Sequence, residues 1–489
     1  MSFPSALYRP SLALLTDLYQ LTMAYAAWKE GLAETEAVFT LSFRRHPYGG
    51  GFTVAAGLEF AVDYVEHFRF DEEDLAYVAA QVGADDAPLF EPGFIEYLRQ
   101  LRLTVDLDAV PEGTVVFPYE PVIRVRGPIV ACMLLETPLL DLVNFQTLIA
   151  TKAARVCLAA RGEPVVEFGL RRAQGVDGGL SASRAAYLGG CAGTSNVLAG
   201  RLFGIPVKGT HAHSWVMLFD DERSAFETYA RALPGNCLFL VDTYDSLEGV
   251  RHAIEVGRWL RARGKKFLGV RLDSGDLAWL SLEARRLLDE AGFPKATVFA
   301  SNELDELIID SLKEQGARIA AWGVGTRLVT GASDGALGGV YKLTAVKRPG
   351  EDWKYRVKLS ERLEKTTIPG LLQVRRFVED GKIVADAIYD EWSGIPDPVT
   401  IVDPLDLTRR KTLDPGAKGE DLLQPVFRAG RSSGPRPTLE DARARVQSQL
   451  ALLHPGVKRF VNPHQLPAGL EKGLHDRRTA LVLAARGES

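Results

Sequence analysis

FLGVRLDSGDLAWLSLEARRLLDEAGFPKATVFASNELDELIIDSLKEQGARIAAWGVGT, residues 267–326, repeats one pattern: a short apolar run, a polar run end, then an amphipathic segment. The runs Phe267–Leu272, Thr297–Ala300 and Ile319–Val324 are rich in Val, Ile and Phe and too short for helices, which predicts buried parallel strands. Between them, Leu277, Leu280, Ala284, Leu287 and Leu288 share one helical face that stops at Gly292. The next helix is expected to take Asn302 as N-cap, with acids at Glu303, Asp305 and Glu306, apolar Leu304, Ile308 and Leu312, and a stop at Gly316. Upstream, Pro164–Phe168, Ile205–Val207 and Cys237–Val241 extend the series, with Ser195–Val197 a candidate further strand. Such a succession of βα units makes either an open doubly wound sheet or a barrel. Polar residues cluster after each apolar run, at Gly169–Arg172, Thr210–His213, Asp242–Asp245, Arg271–Asp276, Ser301–Asn302 and Gly325–Thr326. An open sheet gathers its site at one switch point, whereas a barrel delivers every strand end to one mouth, so the pattern favours a β/α barrel.

Outward from that core, the 489-residue chain is 46% hydrophobic and 25% charged, enough for a large core and against disorder, collagen or coiled coil. A net charge of −5 gives no basic field for a nucleic-acid partner. The four cysteines, Cys132, Cys157, Cys191 and Cys237, show no CxxC spacing, which suggests a reducing, cytoplasmic setting. Met1–Pro10 has no charged start followed by a long apolar run, so no signal peptide is expected. Pro128–Val143 is broken by Glu136 and Asp141 and reads as too short to span a bilayer, so no membrane partner is expected. The expected division is an N-terminal α/β domain (1–128) completed by part of the C-terminal region, a barrel carrying the site (129–345) and a C-terminal region (346–489). The flanks predict a helix at Leu15–Lys29, a strand at Ala37–Phe43 and a hairpin around Pro111-Glu112-Gly113. Further on come a hairpin turn at Glu379-Asp380-Gly381, an exposed loop over Arg428–Pro437 and a helix over Leu439–Leu453.

Chemistry-bearing residues concentrate at the strand ends. His211 and His213 would share a face if their strand continued, a metal-ligand spacing; they could also be ordinary polar residues at a loop start, or supply one nucleophilic or acid–base imidazole. Phe168 with Arg171 and Arg172 sets a ring beside guanidinium groups, which suits a flat aromatic carboxylate, although a core ring with solvated arginines has the same pattern. Arg271 and Asp273 fall on one face and are either a structural ion pair or a phosphate and sugar-or-Mg²⁺ pair. Glycines at 323, 325, 335, 338 and 339 fall where the last barrel loops are expected, and would let backbone N–H groups approach a phosphate. Tyr19, one turn into the first helix, reads from spacing alone as core.

Together these stretches resemble the nicotinate phosphoribosyltransferases. The matching residues run in order: Thr16-Asp17-Leu18-Tyr19-Gln20, Phe43-Arg44-Arg45 with Pro47-Tyr48-Gly49-Gly50, Leu134–Pro138, Phe168–Asn196, Gly209–Trp215, Arg271–Asp276, Gly325-Thr326, Gly338–Lys342 and Asn462-Pro463-His464. The resemblance implies an irregular, incomplete β/α barrel of the type II phosphoribosyltransferase kind, beside an α/β N-terminal domain with a C-terminal extension. It implies a homodimer with shared sites, in which Tyr19 stacks on the pyridine ring from the neighbouring subunit, against the core reading. It further implies that ATP phosphorylates His213 rather than His211, and that phosphoribosyl pyrophosphate and nicotinate give nicotinate mononucleotide, the first step of NAD synthesis from nicotinate. By the same resemblance Phe168 and Arg171 frame nicotinate and Thr210 contacts it. Arg271 and Thr326 would hold the sugar phosphate, Gly338 and Gly339 would line its loop, and Asp242 and Asp273 are sugar or Mg²⁺ (or Mn²⁺) partners. Ser195 stands where a nicotinamide phosphoribosyltransferase would place an acid, and a hydroxyl can donate to a carboxylate, which favours nicotinate. Quinolinate would want more cations than Arg171, Arg172 and Arg271 supply. The alternative from a different class is a metal-dependent barrel hydrolase built on His211 and His213.

Overall fold

In a computed structural model, which describes residues 11–487, the apolar runs become a wholly parallel sheet of Val165–Glu167, Gly193–Thr194, Leu238–Leu240, Gly269–Leu272, Thr297–Ala300 and Ala321–Val324. Met1–Pro10, where no signal peptide was expected, lies outside the described residues. In space the order is Gly193–Thr194, Val165–Glu167, Ala321–Val324, Thr297–Ala300, Gly269–Leu272, Leu238–Leu240. A single parallel bridge from Thr194 to Val207 adds one more position beyond Gly193–Thr194. The earliest strand of the series therefore lies beside the latest, as in a closing barrel, while the ring stays open between Val207 and Leu238–Leu240. This is an incomplete β/α barrel.

Three details of this series differ from the sequence reading. Ile205–Val207, expected as a strand, contributes only the bridge at Val207. The extra strand is Gly193–Thr194 rather than Ser195–Val197, because Asn196 caps the helix Val197–Phe203 by accepting from the Ala199 N–H at 3.2 Å. The N-cap of the helix Glu306–Glu314 is Asp305, whose carboxylate accepts from the N–H groups of Leu307 and Ile308 at 3.0 and 2.9 Å. Asn302, the expected cap, instead sits in the loop with φ +128°.

The barrel unit spans Ile149–Gly335, and a second unit is built from both chain ends, up to Leu148 and from Ala336 onward. These limits differ from the expected 128/129 and 345/346. The first falls inside the continuous helix Glu136–Ala159, and the second precedes the strand Gly339–Lys347, whose partner is Glu36–Phe43. The second unit holds a seven-stranded sheet in which Glu36–Phe43 lies between Gly339–Lys347 and Ile123–Pro128. It also holds a six-stranded sheet containing the hairpin Leu372–Glu379 and Lys382–Asp390, turned by Asp380 and Gly381 at φ +48° and +69°. Pro111-Glu112-Gly113 does not make a hairpin. Asp106–Ala109 pairs with Ile123–Pro128, and Val115–Val116 pairs with Thr53–Val54.

The stretch judged too short to span a bilayer belongs to a 31-residue helical run, Ile129–Ala159, which by length and composition could cross a membrane. Cys132, Leu135, Leu139 and Leu148 are fully buried within the protein, and Lys152 and Arg155 pair with Glu306 at 2.6 and 2.8 Å. Those contacts make it a core helix. Buried charges of this kind need partners, and here they have them.

Candidate active site

The strand ends of the barrel unit bring most of the expected residues into one neighbourhood. His213 opens the short helix His213–Val216, and its Nδ1 lies 3.1 Å from the Thr243 hydroxyl. Its Nε2 is 4.0 Å from Asp242 Oδ1 and 4.0 Å from Asp273 Oδ2. Asp242 follows Leu238–Leu240, and its Oδ2 accepts from the Asp273 N–H at 3.1 Å and the Ser274 hydroxyl at 2.5 Å. Ser301, at the next strand end, donates to Asp273. The two carboxylates are thus held in place by their neighbours' backbone and hydroxyl groups, while Asp242 Oδ1 is buried with no hydrogen-bond partner among the described residues.

Arg271 stands on the other side of this cluster. Its guanidinium donates to Thr210 Oγ1 at 3.2 Å, lies 3.9 Å from Asp273 Oδ1, and has its carbon 5.9 Å from the centre of the Phe168 ring. Burial, and the Arg171 charge nearby, push Arg271 down from its ordinary value, while Asp273 and Asp242 oppose that shift. Its Nε is buried and has no partner among the described residues, so a donor is available to an anionic ligand. Phe168 stacks on Phe299 with ring centres 5.7 Å apart. Gly323 leaves room for both rings, since a Cβ there would come within 2.7 Å of Phe168 and 2.8 Å of Phe299. Arg171 is exposed in the turn Leu170–Arg172. Ser195 is half-buried, its N–H donating to the Glu167 carbonyl at 2.9 Å.

Beneath these loops, the fully buried Glu167 carboxylate accepts from the Gly169 N–H, from Ser183 Oγ at 2.9 Å and from Thr194 Oγ1 at 2.5 Å. One acid therefore anchors both the loop leading to Arg171 and the strand end leading to Ser195.

Other expected residues hold different partners or belong to the other unit. The Thr326 hydroxyl donates to Glu303 at 2.9 Å. Gly338 and Gly339 do not form a barrel loop: among the described residues no barrel strand follows Ala321–Val324, and Gly339 already starts the sheet strand of the other unit, opposite Phe43. Tyr19 also belongs to that unit and is 47% exposed, which overturns the core reading from spacing. His211 and His213 do not converge as a metal pair. His211 is buried among Phe226, Tyr229 and Phe239, and its Nε2 accepts from the Leu240 N–H at 3.3 Å. Burial pushes its imidazole down to about 4, so the ring is neutral. Among the described residues no three His, Cys, Asp or Glu side chains gather as a closed metal centre.

Sequence reasoning missed Thr243, Ser301 and Glu167 as supports of the site. Thr243 directly follows Asp242, which is the signal that could have found it. It also left Arg44 and Lys342 unassigned, although both fell in quoted motifs. They line a cavity of about 40 Å³ in the second unit with Thr40, Ser42, Thr366 and Thr367. Burial lowers the Lys342 ammonium, with Glu136 opposing.

Comparisons with known proteins cover nearly the whole chain. Residues 14–144 match the nicotinate phosphoribosyltransferase N-terminal domain, 164–355 the nicotinate phosphoribosyltransferase family and 373–478 the C-terminal domain. A Bacillus subtilis nicotinate phosphoribosyltransferase is 43% identical over 94% of this chain and 93% of its own. The crystal structure of human nicotinic acid phosphoribosyltransferase superposes with a TM-score of 0.82 at 34% identity, covering 95% of this chain and 99% of that one. A nicotinate-nucleotide pyrophosphorylase from Pyrococcus furiosus shares the fold, with a TM-score of 0.68 at 22% identity over 92% and 97% of the two chains. This chain belongs to the nicotinate phosphoribosyltransferase family.

Proposed function

We propose that the protein transfers phosphoribosyl from phosphoribosyl pyrophosphate to nicotinate, giving nicotinate mononucleotide and pyrophosphate, with ATP phosphorylating His213. The observation that carries this reading is the strand-end cluster of an imidazole nucleophile, His213, two oriented carboxylates and a buried cation, Arg271, in a chain of this family. The pyridine nitrogen attacks the anomeric carbon as the bond to pyrophosphate breaks, through an oxocarbenium-like state. Phe168 and Arg171 fix the ring and its carboxylate, Thr210 contacts the ring, Arg271 and Thr326 hold the sugar phosphate, and Ser195 donates to the carboxylate. In the coupled cycle the γ-phosphoryl group passes from ATP to a His213 nitrogen, ADP leaves, and water later releases phosphate. The added charge would reorganise the groups that hold pyrophosphate.

Asp242 and Asp273 fit Mg²⁺: Asp242 Oδ1 is buried and unpartnered, and Mg²⁺ commonly takes one or two carboxylates plus substrate phosphates. When bound it would neutralise charge on the departing pyrophosphate. The exposed Tyr19 supports a homodimer in which that ring completes the partner's site. Four free cysteines support a cytoplasmic protein.

The test supplies enzyme, phosphoribosyl pyrophosphate and ATP with nicotinate, nicotinamide or quinolinate and measures which mononucleotide forms. A mononucleotide is expected from nicotinate alone; product from nicotinamide or quinolinate at equal efficiency would overturn the substrate assignment. With γ-labelled ATP, His213→Ala should lose the label and His211→Ala should keep it. The reverse pattern would move the phosphoryl acceptor to His211.

A further inference from the structure

The barrel is open at one place, between Val207 and Leu238–Leu240, and an open strand edge presents N–H and C=O groups that a further strand would satisfy. Among the described residues no strand spans the gap; side chains do. Asn236 Nδ2 donates to the Gly209 carbonyl at 3.3 Å, and the Leu240 N–H donates to His211 Nε2 at 3.3 Å. The imidazole thus stands where a ladder carbonyl would be, locked by Phe226, Tyr229 and Phe239 at ring distances of 5.9, 5.2 and 6.2 Å. Accepting at Nε2 puts the ring proton on Nδ1, which faces the Ala212 carbonyl at 3.4 Å.

The residues on either side of this clip belong to the site. Thr210 accepts from Arg271 at 3.2 Å, and the His211 carbonyl lies 3.5 Å from the same guanidinium nitrogen. His213 reaches Thr243, three residues beyond Leu240 on the edge that His211 holds. We propose that His211 is a positioning residue, a neutral acceptor that fastens the Gly209–Ala212 loop to the open edge of the barrel and so sets Arg271 and His213 for the sugar phosphate. The inference rests on the transferase reading above and assigns His211 a task separate from phosphoryl transfer.

His211→Phe keeps the ring packing and removes the acceptor; His211→Gln restores an acceptor without the ring. Amide exchange of a peptide covering residues 237–243, followed by mass spectrometry, reads the seam without any catalytic assay. His211→Phe should exchange faster there, with His211→Gln closer to the parent. In the kinetic assay His211→Phe should raise KM for phosphoribosyl pyrophosphate about fivefold, the scale of one buried hydrogen bond, with a smaller change in kcat and partial recovery in His211→Gln. Unchanged exchange and KM in His211→Phe would overturn the proposal, as would equal losses of kcat and KM in both variants. If the parent protein made no nicotinate mononucleotide while the exchange difference persisted, the transferase reading would fail and the seam assignment would stand.

Discussion

Replacing Glu167 by Gln changes one atom and leaves the shape of the side chain intact, so its effect reports the charge and acceptors of a single buried group. The carboxylate offers one oxygen to the Gly169 N–H and the other to the hydroxyls of Ser183 and Thr194. An amide has one acceptor oxygen. If that oxygen keeps the two hydroxyls, the amide NH₂ faces the Gly169 N–H, donor against donor. The loss is one charge-assisted hydrogen bond in a site with no access to water, about 1.5–3 kcal/mol. For a cooperative unit the size of the barrel, 1 kcal/mol moves the melting midpoint by about 2–4 °C, so a drop of roughly 3–12 °C is expected. The KM for nicotinate should rise several-fold in parallel, because Gly169 leads into Arg171 and Thr194 into Ser195. Thermal unfolding and steady-state kinetics on the same preparation check both. A Glu167→Gln protein with the parent's midpoint and the parent's nicotinate KM would refute the view that this acid anchors the two loops.

Gly323→Ala should displace the Phe168 ring, which a new Cβ would approach to 2.7 Å, at a cost of about 1–3 kcal/mol; nicotinate KM should rise more than that of phosphoribosyl pyrophosphate. Ser195→Asp should weaken nicotinate by about 1–3 kcal/mol through a repelled or unpaired charge, and unchanged turnover at low nicotinate would remove Ser195 from the pyridine carboxylate. Tyr19→Ala and His213→Ala proteins, each nearly inactive, should regain activity when mixed under conditions of proven subunit exchange; no recovery would place both residues in one subunit's site. Glu120 is buried beside Asp386 and Arg376, and burial raises its carboxyl well above 4.5. The folded state therefore holds that proton more tightly than the unfolded chain, its contribution is complete below about pH 4.5, and stability is lost as pH rises toward the folded value. Glu120→Gln should flatten that decline in denaturation curves measured across pH; parallel curves for both proteins would disprove it.

Elements that announce themselves by apolar runs or turn chemistry were legible from the residues. Thr297–Ala300 occurs with the expected limits, and Asp380-Gly381 turns the expected hairpin. Gly193–Thr194 was not legible, because two residues including a glycine make no apolar run, and its place is set by Val165–Glu167 beside it. The separation of His211 from His213 was equally hidden. A spacing of two implies one face only on a strand, and Gly209–Ala212 is irregular backbone ending in a helix start. Glu136 and Asp141 disguised the length of the helical run Ile129–Ala159 by breaking its apolar pattern. Tyr19 shows the limit of periodicity itself: the side of a helix that looks buried in the sequence is here half open to solvent.

Because the barrel unit is inserted between the two parts of the other unit, the order of synthesis differs from the order of assembly. Glu36–Phe43 can pair with Ile123–Pro128 early, but its other edge waits for Gly339–Lys347, about 300 residues downstream. At ribosomal speeds of about 5–20 residues per second, that edge stays unpaired for roughly 15 s to a minute. The barrel's strands and helices, contiguous in sequence, are complete before then. The nascent chain thus carries a finished barrel behind an apolar strand with one open side, Phe39 and Leu41 included, through the interval when neighbouring chains are closest. Slowing synthesis upstream of Gly339 lengthens that exposure, so synonymous codon choice within the barrel would alter soluble yield without changing one residue of the enzyme.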